Sequence, residues 1–323
     1  MYTRREALPT VTTATIPPAA LDEVPFDERF EALLEQGRIE HAEERLQDSL
    51  RTFDAAERLA EQGGDRRAAD RAFVNRCTVT LDLERELATE PFHRLREILM
   101  GGDDNVNCRL AAYNIARAYE FAKEHRKGLF YARIALDRSR LLEVTGWLAS
   151  SHNQIGNFLL AESRFDAARA EYEQALALLP GDQPSVPRAK IYDNLGYALV
   201  VVNQVEPGLR LLYRSLRMLR ALGTRREQVF PQLDLCFALL EVGRYRHAMR
   251  HGAQALMLAE EAGDQESTKH ALFLLGEAAQ QAGDLSGARE QFERLQERYF
   301  PEAVYLPEVL LTVDVRKLIN LKT

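Results

Sequence analysis

Cysteine is scarce: Cys77, Cys108 and Cys236 are the only three in 323 residues, odd in number and far apart. They form neither a CxxC metal pair nor the framework of a small secreted scaffold, which points to a reducing, cytoplasmic setting. A long apolar run is missing as well. No stretch approaches the roughly 20 apolar residues of a membrane helix, so the chain is expected to be soluble and to have no membrane partner. Pro9, Pro17 and Pro18 interrupt the only place where a signal peptide could lie. Residues 1–24, with Pro and Thr but no apolar periodicity, are expected to form a disordered leader. A leader of that length is not expected to hold a helix-turn-helix DNA-binding domain.

Positive charge is in deficit, with 42 basic against 49 acidic residues and a formal charge of -7. Non-specific phosphate binding depends on clustered Lys and Arg, so nucleic acid is not an expected partner. Catalytic signatures are absent too: GxSxG, GxxxxGK[ST], HExxH and GxGxxG do not occur. No catalytic residue, cofactor or metal is assigned, and the chain is not expected to be an enzyme. His247 and His251 are four residues apart, but two ligands make a poor metal site and Arg244, Arg246 and Arg250 crowd the same turn.

What the chain does have is a period. With 46% apolar and 28% charged residues it can bury a large core. Small residues recur every forty positions at Ala88, Gly128, Ala168, Gly208, Ala248 and Ala288, preceded by Ala42. Twelve residues before them lie Ala116, Gly156, Gly196, Cys236 and Gly276, with Phe30 and Arg76 as misfits. Five residues before them lie Gly37, Leu83, Lys123, Ser163, Asn203, Gly243 and Gly283, where a first helix should end, the glycines in the left-handed conformation. Asp166, Asp284 and Glu206 stand where a second helix should begin.

This pattern resembles the tetratricopeptide repeat, most clearly at Gly156, Leu159, Ala168, Tyr172, Ala175 and Pro180. The resemblance covers residues 26 to 300 and is closest to the longer repeats of bacterial regulators and signalling proteins. It implies an all-α, right-handed α-solenoid of about seven helix-turn-helix units without strands. The expected units are 25–65, 66–102, 103–142, 143–182, 183–222, 223–262 and 263–300. Residues 301–323 should form a cap, with a helix near Val309 to Leu321 whose Leu310, Val313, Leu318 and Leu321 cover the last repeat.

In this family the first helix of each unit lines the concave groove. Positions two before the small first-helix residue then face inward: Val74, Asn114, Gln154, Asn194, Asp234 and Leu274. Amides both donate and accept, so Asn114, Gln154 and Asn194 could bond an extended peptide backbone of any sequence. Neighbouring inward positions add Tyr113, Asn153 and Asp193 on one side, and Arg117, Asn157 and Tyr197 on the other. Toward the C-terminal end the groove becomes apolar, with Phe230, Leu233, Phe237, Leu240 and Phe273. That cluster is either a pocket for a ligand side chain or a patch covered by the C-terminal helix. The resemblance implies a non-catalytic adaptor or sensor with a protein or peptide partner. The alternatives are a receptor for a small signalling peptide and a self-assembling subunit that forms a homodimer through the apolar patch.

Overall fold

The computed structural model describes residues 25–102, 104–181 and 183–313, and the expected leader lies outside them. Among the described residues every regular element is a helix and no strand occurs. The helices are α1 (Phe26–Ala42), α2 (Leu46–Gln62), α3 (Arg66–Glu84), α4 (Thr89–Gly101), α5 (Asn105–Phe121), α6 (His125–Leu142), α7 (Thr145–Ala161) and α8 (Phe165–Leu178). They continue with α9 (Val186–Val201), α10 (Val205–Leu222), α11 (Val229–Glu241), α12 (Tyr245–Glu261), α13 (Gln265–Gln281), α14 (Leu285–Tyr299) and α15 (Leu306–Thr312). The first fourteen alternate as first and second helices of seven helix-turn-helix units in an α-solenoid, and α15 follows the last. The chain parts into two compact units between Arg76 and Cys77, inside α3.

The turns follow one rule. Each of the thirteen connections between consecutive helices from α1 to α14 holds one described residue at positive φ, and no other described residue has one. Lys123, Ser163, Asn203, Gly243 and Gly283 take this role at forty-residue spacing, with φ of 57° to 84°. A left-handed residue lets the chain reverse while its N–H closes on the helix just ended. The Ser163 and Asn203 N–H groups, for example, donate to the carbonyls of Leu160 and Val200. Of the expected start residues, Asp284 caps α14 by accepting from the Gly287 N–H at 2.9 Å. Asp166 and Glu206 instead lie inside the first turns of α8 and α10, where their charge favours the helix N-terminus without capping it.

Helices cross through size-matched pairs. A Cβ added at Gly156 would sit 2.5 Å from the Tyr172 ring, at Gly276 2.3 Å from Phe292, and at Gly196 2.9 Å from Leu212. Each large partner lies sixteen residues after its glycine. Where the first-helix position is larger the partner shrinks: Ala116 with Ala132, and Cys236 with Gly252, all buried. The spacing is one of volume conserved across a crossing, as close-packed interiors require.

The first two units depart from the expected register. Gly37 does not end a helix: it lies mid-way along α1, where an added Cβ would meet Phe53 at 2.7 Å. Glu44, at φ 61°, makes the turn. The crossing pair of unit one is Gly37 with Phe53, replacing Phe30, which is itself core, and Ser49 donates to the Gly37 carbonyl at 2.8 Å. Ala42 is an exposed last residue of α1 rather than a crossing residue. In the second unit Arg85 takes the left-handed turn and a longer connection delays α4 to Thr89, leaving Ala88 exposed at its start. Thr78, seven residues before the left-handed position, therefore aligns with Ala116 and Gly156, displacing Arg76.

In the unit from Cys77 onward, one core runs from α9 to α15 and another from α5 to α9. Leu310 of α15 is buried in the first of these, and Gln280 of α13 donates to the Leu311 carbonyl at 2.8 Å. Helix α15 thus caps α14, beginning three residues earlier than expected. Val313 is exposed rather than buried, and Leu318 and Leu321 lie outside the described residues.

Candidate functional site

All the candidate residues lie in the unit that starts at Cys77, on the first helices α5, α7, α9, α11 and α13. Their polar side chains pair with the preceding first helix. Asn114 exchanges a hydrogen bond with the Thr78 hydroxyl of α3 at 3.1 Å, and Gln154 donates to the Tyr113 carbonyl of α5 at 3.2 Å. Asn194 donates to Asn153 of α7 at 3.0 Å. Asn157 donates to Glu120 at 3.0 Å and accepts from the Tyr172 hydroxyl at 3.0 Å. Arg117 bonds Asp82 at 2.5 Å. The amides form a series, but a series of interhelix rungs: each reaches 36 to 41 residues back along the chain.

Asn114, Gln154 and Asn194, expected to offer their amides to a guest backbone, all pair within the chain, and Asn114 and Gln154 are 0% and 2% exposed. The reason is stacking geometry. Successive first helices approach closely enough that the side chain two before the crossing residue reaches the preceding first helix. Asn153, Asn157, Asn194, Tyr113 and Arg117 remain partly exposed, whereas Asp193, Asp234 and Tyr197 are buried. Val74 is wholly buried in the first compact unit.

The apolar residues divide in the same way. Leu233, Leu240 and Phe273 belong to the core, with the Phe273 ring 6.5 Å from that of Phe292. Phe237 is half-buried with its ring 5.8 Å from Tyr197. Phe230 is 41% exposed, and the Arg85 guanidinium lies 5.8 Å from its ring centre. The buried members share one core cluster with Leu310 of α15.

Sequence reasoning missed the contacts between helices far apart in the chain. Arg85 pairs with Asp264 of α13, and Arg226 donates to the carbonyl of Asp82, links spanning 179 and 144 residues. Lys190 meets Glu227 at 2.8 Å. The end of α3 therefore touches the starts of α11 and α13. An isolated Arg on a turn carries no sequence mark that could have announced this.

The electrostatics follow burial and charge. Burial first, then the nearby carboxylates of Glu120, Asp193 and Asp234, push the Tyr172 hydroxyl well above the usual tyrosine range, so it stays a neutral donor to Asn157. Burial works against the charge of Arg117, but Asp82, Tyr113 and Glu120 together more than offset it, and the guanidinium is held above its ordinary value. Burial pushes the Cys236 thiol up to about 12, and the side chain packs at the crossing with Gly252, as an inert core residue does. His251 bonds Gln232 at 2.6 Å rather than pairing with His247. Among the described residues no three His, Cys, Asp or Glu side chains gather as metal ligands would. No described helix is long and apolar enough to cross a membrane.

No family model matches the chain, and no curated protein matches it. Solved structures do. A Rap protein complexed with competence and sporulation factor is similar over 84% of this chain and 76% of its own, at TM-score 0.67 and 13% identity. The apo form of RapI is similar over 90% of this chain and 82% of its own, at TM-score 0.59 and 12% identity. A signal transduction ATPase with a tetratricopeptide repeat sensor, from Pyrococcus horikoshii, is similar over 90% of this chain but only 44% of its own, at TM-score 0.65 and 13% identity. At such identities the likeness is one of fold. With the forty-residue period, the crossing pairs and the left-handed turns, it gives this chain a helical-solenoid fold of the tetratricopeptide-repeat type.

Proposed function

We propose that the chain is a non-catalytic, cytoplasmic adaptor or sensor that captures an extended polypeptide segment on the inner face of α5, α7, α9 and α11. The observation that carries this reading is the row of half-exposed Tyr113, Asn153, Asn157, Asn194 and Phe237 on consecutive first helices. Asn153, Asn157 and Asn194 already exchange hydrogen bonds with neighbouring side chains, and an amide retains further donors and acceptors for a guest backbone. Tyr113 and Phe237 offer apolar area beside them. Arg117, Asp193 and Asp234 then act behind this row, holding helices rather than touching a guest.

The Rap protein complexed with competence and sporulation factor supports the receptor version of this reading, in which the captured molecule is a small signal. The experiment is a pull-down from native cell extract with the full chain, with bound peptides identified by mass spectrometry and resynthesised. Asn153→Ala, Asn157→Ala and Asn194→Ala together should weaken a resynthesised peptide roughly ten- to a thousand-fold, at 0.5 to 1.5 kcal/mol for each lost hydrogen bond. Unchanged affinity in the folded triple variant would rule the inner face out.

A further inference from the structure

The exposed face of α10 and α12 is out of keeping with an acidic chain. Arg210, Arg217 and Arg220 on α10 and Arg246 and Arg250 on α12 are exposed, and none has a carboxylate partner among the described residues. Most exposed arginines elsewhere in the described chain do have one, as in the Arg45, Arg51, Arg140 and Arg169 pairs. Positions 210, 217 and 220 fall on one side of a helix of 3.6 residues per turn and span about 15 Å. The Tyr213 ring lies 5.7 Å from that of His251, which holds the two helices side by side. A depression of about 630 Å³, open to solvent, is lined by Arg210, Leu211, Tyr213, Arg214 and Arg217. The positive field is felt locally: after burial, Arg220, Arg250 and His247 are what press the His251 imidazole down to about 4.

We propose that this face docks a short acidic segment of a partner protein. Five guanidinium groups without counter-charges match clustered carboxylates, which the planar fork binds in bidentate fashion. Tyr213 and Leu211 add apolar contact that a polypeptide can use and a phosphate chain cannot. The patch is also bounded: Glu206 is neutralised by Arg244 and Glu261 by Arg225 at its margins. An island about 15 Å long suits roughly five extended residues, whereas a long polyanion would run off onto a surface whose net charge is negative. The site is separate from the inner face, so either reading can fail alone.

The test uses the full chain and a fluorescein-labelled eight-residue peptide, six glutamates around a central tyrosine and leucine, followed by fluorescence anisotropy at low and physiological salt. The peptide should bind, more weakly as salt rises. Arg210→Glu with Arg217→Glu should weaken it on the order of tenfold or more, because these rim charges act directly on the encounter. The control Arg126→Glu with Arg133→Glu, exposed on α6, should stay within about twofold. Circular dichroism should show all variants folded, since every altered side chain is exposed. Absence of binding to the unaltered chain, or an equal loss in patch and control variants, overturns the proposal. So does an eight-nucleotide single strand binding as tightly as the peptide, which would assign the face to nucleic acid. Self-association that disappears in the patch variant alone overturns it in favour of a second copy of the chain.

Discussion

Gly156 offers the sharpest test of how the repeat is held together. An alanine there would gain about 1 kcal/mol of helix propensity on an open helix. Here its Cβ would lie 2.5, 2.8 and 2.9 Å from three atoms of the Tyr172 ring, which is wholly buried and tied to Asn157. Overpacking a close-packed site costs about 1–3 kcal/mol, and a ring that cannot retreat belongs in the upper half of that range. The net expectation for Gly156→Ala is a loss of about 1–2 kcal/mol. The same helix carries its own control, since Gly146 in the first turn of α7 has nothing within 4 Å of an added Cβ. Gly146→Ala should be neutral or stabilising by up to about 1 kcal/mol. Urea unfolding followed by circular dichroism compares the two midpoints. A Tyr172→Leu background, which removes the ring edge, should reduce the cost of Gly156→Ala through a coupling of about 0.5–3 kcal/mol. If Gly156→Ala is as stable as the unaltered chain, the size-matched crossing is not what sets the small residue.

Gln154→Ala and Asn114→Ala should each destabilise by about 1–3 kcal/mol, because each breaks a buried rung between first helices; the small gain expected at an exposed site would refute that role. Leu310→Ala should cost about 2–4 kcal/mol while Val309→Ala, 44% exposed, changes little; equal midpoints in urea would mean that α15 does not cap the core. Burial, opposed by Glu266 but reinforced by Lys269, Arg85 and Lys123, lowers the His270 imidazole to about 4, and His251 also lies at about 4. An unfolded histidine takes up its proton near pH 6.5, so the stability held in these neutral rings is complete above that pH and is lost as pH falls toward 4. For His270 the ceiling is about 3 kcal/mol, and the half-exposed His251 contributes less. His270→Gln should flatten the fall in urea midpoint between pH 7 and pH 4.5, and an unchanged slope would show that another group carries it.

From Asn105 onward the architecture was legible because its determinants are local. A left-handed turn favours a glycine or asparagine at one position, as at Asn203, Gly243 and Gly283, and a close crossing excludes all but small residues, as at Gly156 and Gly276. Both constraints act on residue identity at a fixed spacing, so they leave a period in the chain. The first two units hid theirs: Glu44 and Arg85 take left-handed turns without being glycine, and the delayed start of α4 moves the count by several residues. Only the packed structure showed that Gly37 meets Phe53 and that Ala88 meets nothing of the core. The candidate site was legible as a row of polar residues on the first helices but not as to which of them are free. Whether Asn114 faces a guest or Thr78 depends on how closely α5 stacks on α3, a distance set by side chains 36 residues apart. The link from Arg85 to Asp264 depends on the accumulated stacking of every helix between them. Such contacts are fixed by geometry summed over several repeats, and no single residue or spacing records that sum.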